Sequence, residues 1–232
     1  MFKLLSTANP KIQKGTERGY LSFILHLAPA DLSGRETCPK RTAGCTAACL
    51  NTAGRGGMFK RGETTNMIQK ARIRKTQYFF EARDYFMNDL YADITKAIKF
   101  AERKGLTPVF RLNGTSDLSW EKYTINDKNI FELFPNVQFY DYTKVLGRKV
   151  SKYPNYHLTF SKADGNDADV AEALLQGMSV VAVYDKVPAG VPSADLDDLR
   201  FLDPKGVMLG LKAKGKAKKD YSGFVIRLAE VA

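Results

Sequence analysis

Short apolar runs alternate with helical stretches along most of the chain. Runs of about four to eight apolar residues between glycine, proline or charged residues are typical of buried strands. The predicted strands are 20–27, 108–112, 137–142, 156–160, 179–184, 207–211 and 224–228. Apolar positions from residue 64 to residue 104 recur mostly at helical spacings, which predicts two helices with a break near 82–84. A short helical piece at 129–134 and an amphipathic helix at 167–176 complete the pattern.

This alternation of strands and helices predicts an α/β fold with a mostly parallel sheet, either a partial (β/α) barrel or an open sheet. The last two strands are joined by a Lys-rich connection at 212–223, which is barely long enough for a crossover. We therefore predict that these two strands form an antiparallel pair at one edge. The whole chain, 1–232, is predicted to be a single domain, with 1–19 as an N-terminal arm or short edge element.

Composition limits the class of protein further. Of 232 residues, 44% are hydrophobic and 11% aromatic, which excludes a wholly disordered chain. No apolar run approaches the roughly 18 to 20 residues of a membrane helix. The N-terminus lacks the apolar stretch of a secretory signal, so we expect a cytoplasmic protein with no membrane partner.

Positive charge is in excess, with 36 Lys and Arg against 25 Asp and Glu, a net charge of +11. Much of it lies in three stretches, at 60–75, 144–152 and 212–219, with tyrosines nearby that could stack on bases. A small anionic ligand or a nucleic acid is therefore a candidate partner. The alternative is a solvated basic surface, because no signature of a known nucleic-acid-binding module is present.

The most informative feature is a cluster of cysteines in the loop at 36–57. All three cysteines of the chain, Cys38, Cys45 and Cys49, lie in it with the spacing CX6CX3C. An odd number of clustered cysteines is unlike the even, dispersed cysteines of a secreted disulfide framework. If residues 46–50 began a helix, Cys45 and Cys49 would share one face of it.

Three sulfur ligands suit zinc or an iron–sulfur cluster and disfavour magnesium and calcium. Zinc sites usually add a second cysteine pair or histidines, and the only histidines are His26 and His157, both within predicted strands. A [4Fe–4S] cluster with three cysteine ligands and an open fourth iron is therefore the preferred hypothesis. Zinc and three buried, reduced thiols are the alternatives. One histidine could supply a fourth cluster ligand, although a core position is the simpler interpretation of both.

A strand followed by a three-cysteine loop and further β/α units resembles the radical S-adenosylmethionine superfamily. That resemblance implies a cluster whose fourth iron binds S-adenosylmethionine, and hence radical-type chemistry. The superfamily's usual spacing is CX3CX2C, and it commonly carries a glycine-rich acidic segment after the second strand. Here the spacing is CX6CX3C, and Asn-Gly-Thr-Ser-Asp at 113–117 occupies that place.

A closer resemblance covers most of the chain. The strings RLNGTSDLSWE at 111–121, FYDYTK at 139–144 and NYHLTFS at 155–161 are similar to an uncharacterised bacteriophage family, the gene-product-88-like domain. RFLDPKG at 200–206, GLKAKG at 210–215 and the clustered cysteines fit the same family. The resemblance implies a phage protein in an infected host cell and supplies no activity.

Polar residues at the predicted strand ends are the remaining candidates for a site. In α/β folds, ligands bind at the carboxyl ends of parallel strands, where the cysteine loop also begins. The candidate cofactor-binding residues there are Arg111, Asn113, Asp117, Asp141 and Lys144. Arginine and lysine suit a carboxylate or phosphate, and aspartate suits proton transfer or hydrogen bonding. Solvation, salt bridges and helix caps are the competing interpretations.

The preferred function is therefore a phage-encoded [4Fe–4S] protein of unknown reaction, with redox or radical-type chemistry at the cluster. A second hypothesis is a nucleic-acid-binding module in which zinc or a cluster is structural. A third is a redox or iron-handling accessory that acts through a host protein partner. Whether the chain is an enzyme is not decided by its sequence.

Overall fold

The computed structural model describes residues 3–7 and 10–228. The strands are β1 (Leu5–Ser6), β2 (Tyr20–Leu25), β3 (Thr107–Arg111), β4 (Thr124–Ile125), β5 (Lys128–Asn129), β6 (Gln138–Thr143), β7 (Tyr156–Ser161), β8 (Val180–Tyr184), β9 (Met208–Lys212) and β10 (Val225–Ile226). The main sheet has the order β1-β2-β3-β6-β7-β8, and β8 pairs with both β9 and β10. Only β1 runs antiparallel in it, while β4 and β5 form a separate antiparallel pair. A mixed α/β fold with a mostly parallel sheet is confirmed, and in the described ranges the sheet is an open path.

The C-terminal strands correct one prediction. β9 and β10 do not pair with each other, because each runs parallel to β8. β7 pairs only with Val180 and Val181 at the start of β8, and β10 pairs with Val183 and Tyr184. The connection between β9 and β10 is long enough for a parallel crossover because β10 pairs only with the carboxyl-terminal half of β8. The chain does not have to return along the whole length of that strand.

Six α-helices accompany the sheet in the described ranges. They are α1 (Pro10–Thr16), α2 (Ala43–Ala47), α3 (Met67–Glu81), α4 (Arg83–Glu102), α5 (Ile130–Leu133) and α6 (Asp167–Leu175). The two long ones, α3 and α4, pack against one face of the sheet. The predicted break between the two long helices is confirmed at Ala82, whose φ of −140° and ψ of 59° leave the helical region. Asn66 caps α3 by accepting a hydrogen bond from the backbone amide of Gln69.

Two cores form because successive strand residues point to opposite faces. Phe23, Phe110 and Phe139 are fully buried against the α3–α4 side, where Phe79 and Trp120 join them. On the other face, Val109 and Tyr140 pack against Leu199 in the segment that precedes β9. The sequence of a central parallel strand is a nearly continuous apolar run, because both faces of the strand are buried. The apolar run of β2 therefore predicted this strand.

The N-terminal region, predicted as an arm or edge element, contains β1 and α1 within its described residues. Leu5 pairs with Leu25, so β1 is an edge strand of the main sheet. Residues 1, 2, 8 and 9 of that predicted arm lie outside the described part of the chain. None of the helices in the described ranges combines the length and apolar character that a membrane span requires.

Candidate functional site

The cysteine segment leaves the sheet after β2 and folds into short turns. Thr42 caps α2, where its hydroxyl accepts a hydrogen bond from the Cys45 amide at 3.1 Å. The helix ends at Ala47, so Cys49 lies beyond it and begins a single 3-10 turn. The Cys49 sulfur accepts a hydrogen bond from the Asn51 amide at 3.5 Å. Cys45 and Cys49 therefore do not share one continuous helix face.

All three cysteines nevertheless line one pocket. Cys38, Cys45 and Cys49 surround a cavity of about 200 Å³, and each is a free, partly exposed thiol. The other lining residues are Pro29, Ala30, Asp31, Leu32, Arg41, Thr46, Asn51 and Thr52. The turns of the loop therefore bring the three cysteines together at a single site. We call this site the cysteine pocket.

Cys38 is held against the loop that follows β3. Its sulfur accepts a hydrogen bond from the Ala30 amide at 3.4 Å and contacts the Thr115 carbonyl oxygen at 3.9 Å. The two loops are also joined through the backbone, because the Asp117 amide donates to the Thr37 carbonyl at 2.8 Å. The cysteine segment thus rests on the carboxyl-end rim of the sheet, as predicted from the position of β2.

Two cations lie close enough to Cys49 to act on its charge. Burial raises the pKa of the Cys49 thiol, and the positive charges of Lys144 and Arg72 lower it again in part. Burial also raises the pKa of Cys38, to about 11. Thiolates are the form that binds metal, so loading of the pocket would release protons, and the two cations would stabilise the resulting negative charge.

Arg72 is fixed in this position from α3. Its Nη1 donates to the Asn51 side-chain oxygen at 2.6 Å, within the turn that follows Cys49. Arg72 is partly buried, and that burial lowers its pKa while the neighbouring Cys49 raises it. A guanidinium held in a partly dry site acts on a nearby thiolate more strongly than a solvated one does.

The predicted strand-end residues divide into two groups. Asp117 and Lys144 lie beside the cysteine pocket, and the Lys144 amide donates to Asp117 Oδ2 at 2.7 Å. Burial raises the pKa of Asp117, against the lowering effect of that hydrogen bond. Lys144 Nζ also donates to Ser161 at the end of β7, at 3.2 Å.

The other three candidates are engaged within the fold and do not line the pocket. Asn113 and Asp141 are buried partners, with the Asn113 amide donating to Asp141 Oδ1 at 2.6 Å. Burial raises the pKa of Asp141 to about 7. Arg111 faces the other side of the sheet, where it forms an ion pair with Asp198 at 3.0 Å and covers the Tyr142 ring.

Neither histidine lines the cysteine pocket. His26 is tightly enclosed, because a Cβ at Gly114 would lie 2.5 Å from its Nδ1. Burial, assisted by the charge of Arg72, lowers the pKa of His26 to about 3. His157 lies 3.3 Å from the Thr159 hydroxyl, and burial lowers its pKa to about 4.

The described part of the chain contains no group of three or more His, Cys, Asp or Glu side chains in the geometry of a metal-ion site. A single zinc ion would require its ligands to converge to about 2.0–2.3 Å from one point. The cysteine pocket has the donor chemistry of a soft-metal site, three thiols beside two cations, in a more open arrangement.

Residues that the sequence did not single out complete the surroundings of the pocket. Asp164, after β7, accepts hydrogen bonds from the Gly44 amide and from the Thr42 hydroxyl. Arg72 donates a hydrogen bond to Asn51, which lines the pocket. Arg72 belongs to the basic stretch at 60–75. Helical periodicity alone does not indicate which cation of that stretch points towards the cysteine pocket.

The fold and this pocket define the chain as a mixed α/β protein with three free thiols gathered at the carboxyl-end rim of a mostly parallel sheet. A family model described as gene product 88 matches residues 3–228. The chain belongs to the gene product 88 family. Searches among curated proteins and among solved structures each found no match. These comparisons give no support to the resemblance to the radical S-adenosylmethionine superfamily.

Proposed function

We propose that the protein binds an iron–sulfur cluster of the [4Fe–4S] type, with Cys38, Cys45 and Cys49 as its ligands. The observation that carries the proposal is the gathering of all three cysteines, as free thiols, around one cavity of about 200 Å³. Thiolates are the standard ligands of such clusters. Each thiolate of a cubane binds a different iron atom, so the three sulfurs do not have to converge on one point.

The charges around the pocket support this assignment. A cluster with thiolate ligands is anionic, and Lys144 and Arg72 both act on Cys49 with positive charge. Hydrogen bonds to the ligand sulfurs and nearby charges are the features that adjust cluster potential. Amides of Ala30 and Asn51 already donate to the sulfurs of Cys38 and Cys49. One site therefore combines three thiols, two cations that would balance the negative charge of a cluster, and backbone amides that donate to the sulfurs.

With three cysteine ligands, one iron remains open to solvent, a small molecule or a protein group. The cellular setting that fits is the reducing cytoplasm of a phage-infected cell, where free thiols and clusters persist. The narrower version, a radical-SAM-like core with S-adenosylmethionine on the open iron, predicts a changed EPR spectrum of the reduced cluster on adding S-adenosylmethionine. An unchanged spectrum and no cleavage would eliminate that version and leave cluster binding intact.

The test is the metal content of anaerobically purified protein. We expect a brown protein with broad absorption near roughly 400 nm and about four iron atoms per chain. Cys38→Ala, Cys45→Ala and Cys49→Ala should each lower iron content severalfold. Thr46→Ala, a change of another pocket residue that offers no sulfur, should retain the iron. A colourless protein with one zinc, or iron retained by all three cysteine variants, would contradict the proposal.

A further inference from the structure

A second cavity, separate from the cysteine pocket, is lined by an excess of cations. It measures about 450 Å³ and lies between the loop after β6 and the turn after β3. Four of its lining residues carry positive charge, Lys122, Arg148, Lys149 and Lys152, and one carries negative charge, Glu121. We call this cavity the lysine pocket. Its volume lies in the range of small-molecule sites, roughly 300–1,000 Å³.

The single carboxylate of the lysine pocket is already neutralised. Glu121 accepts hydrogen bonds from Nε and Nη2 of Arg148, in a two-pronged ion pair. The side chains of both residues are buried, with 3% of Arg148 and 8% of Glu121 exposed. The pair therefore forms the floor of the pocket, and its carboxylate does not neutralise the three lysines.

One of those lysines has nearby partners, because the Lys152 ammonium lies 4.8 Å from the centroid of the Tyr153 ring and the charge of Glu132 acts on it. Lys122, Lys149 and Lys152 are exposed and form no salt bridge among the described residues. Ammonium groups that line one concave surface without salt-bridge partners repel each other, and a bound anion would relieve that repulsion.

Arg148, which lines the pocket, has one buried donor atom without a hydrogen-bond acceptor in the described ranges. Arg148 Nη1 makes no hydrogen bond within the described residues, although its charge is paired with Asp117 Oδ1 at 3.8 Å. An unpaired buried N–H group is costly, and an oxyanion is the acceptor that a guanidinium binds best. A phosphate oxygen bound in the pocket that Arg148 lines could satisfy this donor, which otherwise faces Asp117.

We propose that the lysine pocket binds a small molecule bearing a diphosphate group. Three ammonium charges beside the Arg148 guanidinium are best matched by several phosphate oxygens on one ligand, because a single carboxylate would leave most of the charge uncompensated. Val145, Leu146 and Tyr153 supply apolar wall beside the cations, which suits the organic part of a nucleoside diphosphate. This proposal does not depend on metal at the cysteine pocket.

The test is calorimetric titration of the full-length protein with inorganic pyrophosphate and with ADP at fixed salt. The test variant combines Lys122→Gln, Lys149→Gln and Lys152→Gln. The control combines Lys96→Gln, Lys186→Gln and Lys216→Gln, exposed lysines outside the pocket, and removes the same total charge. We expect wild type and control to bind at least one probe, and the test variant to bind it at least tenfold more weakly with an unchanged melting temperature.

Two outcomes would overturn the proposal. They are no binding of either probe to wild type and an equal loss in the control. If neither probe binds but a single-stranded oligonucleotide does, the surface would be assigned to nucleic acid. If the triple variant fails to fold, Lys149→Gln and Lys152→Gln are measured singly, and unchanged affinity in both would equally overturn the proposal.

Discussion

The Asp164 carboxylate, after β7, accepts a hydrogen bond from the Gly44 amide at 3.1 Å and so fixes the first turn of α2 to the rim of the sheet. The same carboxylate accepts from the Thr42 hydroxyl. The fit is close, because a Cβ at Gly44 would collide with Ser222 Oγ and would lie 2.7 Å from Asp164 Oδ1. The helix that carries Cys45 is thereby placed by a residue more than a hundred positions away.

Asp164→Ala should therefore loosen the cysteine segment. Loss of a capping acceptor typically costs about 1 kcal/mol of unfolding free energy, which urea denaturation can measure. In metal-free protein, Cys45 should react faster with iodoacetamide, followed by mass spectrometry. Asp164→Asn, which keeps an acceptor for Gly44, should lie close to wild type, and Glu17→Ala serves as the exposed acidic control. Equal alkylation rates in all four proteins would show that Asp164 does not position Cys45.

Arg72 and Arg74 offer a matched comparison on one helix. Arg72 bonds to Asn51 beside Cys49, whereas Arg74 is exposed. If the pocket holds a cluster, Arg72→Gln should lower its reduction potential, because removing a nearby cation disfavours the more negative reduced state. Arg74→Gln should leave the potential unchanged. Anaerobic redox titration followed by EPR measures both, and equal potentials in the two variants would contradict the assigned role of Arg72.

The ion pair between Arg148 and Glu121 should be important to folding. Both side chains are nearly inaccessible, so replacing one partner leaves the other charge buried and uncompensated. Arg148→Met is expected to lower the unfolding free energy by about 3–5 kcal/mol. The double variant Arg148→Met, Glu121→Gln should recover part of that loss. A double-mutant cycle in urea measures the coupling, and strictly additive losses would contradict it.

His157 should make stability depend on pH. Its pKa in the folded protein is lowered to about 4 by burial and by the charges of Lys205 and Arg200. The unfolded chain has a value near ~6.5 and binds the proton more readily as pH falls. The stabilising contribution is therefore complete above pH ~6.5 and is lost progressively towards pH ~4.

His157→Gln removes that contribution to the pH dependence. At ~1.4 kcal/mol per pKa unit, wild type should lose about 2 kcal/mol more than the variant between pH ~7 and ~4.5. Urea denaturation at the two pH values measures the difference. Parallel loss of stability in wild type and variant would mean that His157 is not held neutral by burial.

Much of the fold was predictable because buried strands and long helices carry strong local patterns. The six predicted strands up to residue 211 and the break near Ala82 correspond to observed elements. The pairing of the C-terminal strands was wrong because pairing is set by tertiary contacts. The short connection between the last two strands indicated an antiparallel hairpin. In the structure, a parallel arrangement is possible because β10 pairs with only the second half of β8.

The candidate site shows the same division between local and tertiary information. Crowded cysteines in the sequence located the pocket, because residues on one short loop remain near each other in space. Arg111 and Asp141 were predicted as site residues because they lie near the carboxyl ends of strands. Arg111, however, points to the opposite face of the sheet, and Asp141 is buried beside Asn113. Asp164 was not identified, because nothing in its local sequence indicates a contact with α2.

Native mass spectrometry of the anaerobically purified chain tests cluster binding most directly, because it measures the mass of any group that is bound to the protein. We expect the mass of wild type to exceed that of the apoprotein by four iron and four sulfide. Cys49→Ala should lose that added mass, and Thr46→Ala should keep it. A wild-type mass equal to that of the bare chain, or increased by a single zinc, would contradict cluster binding.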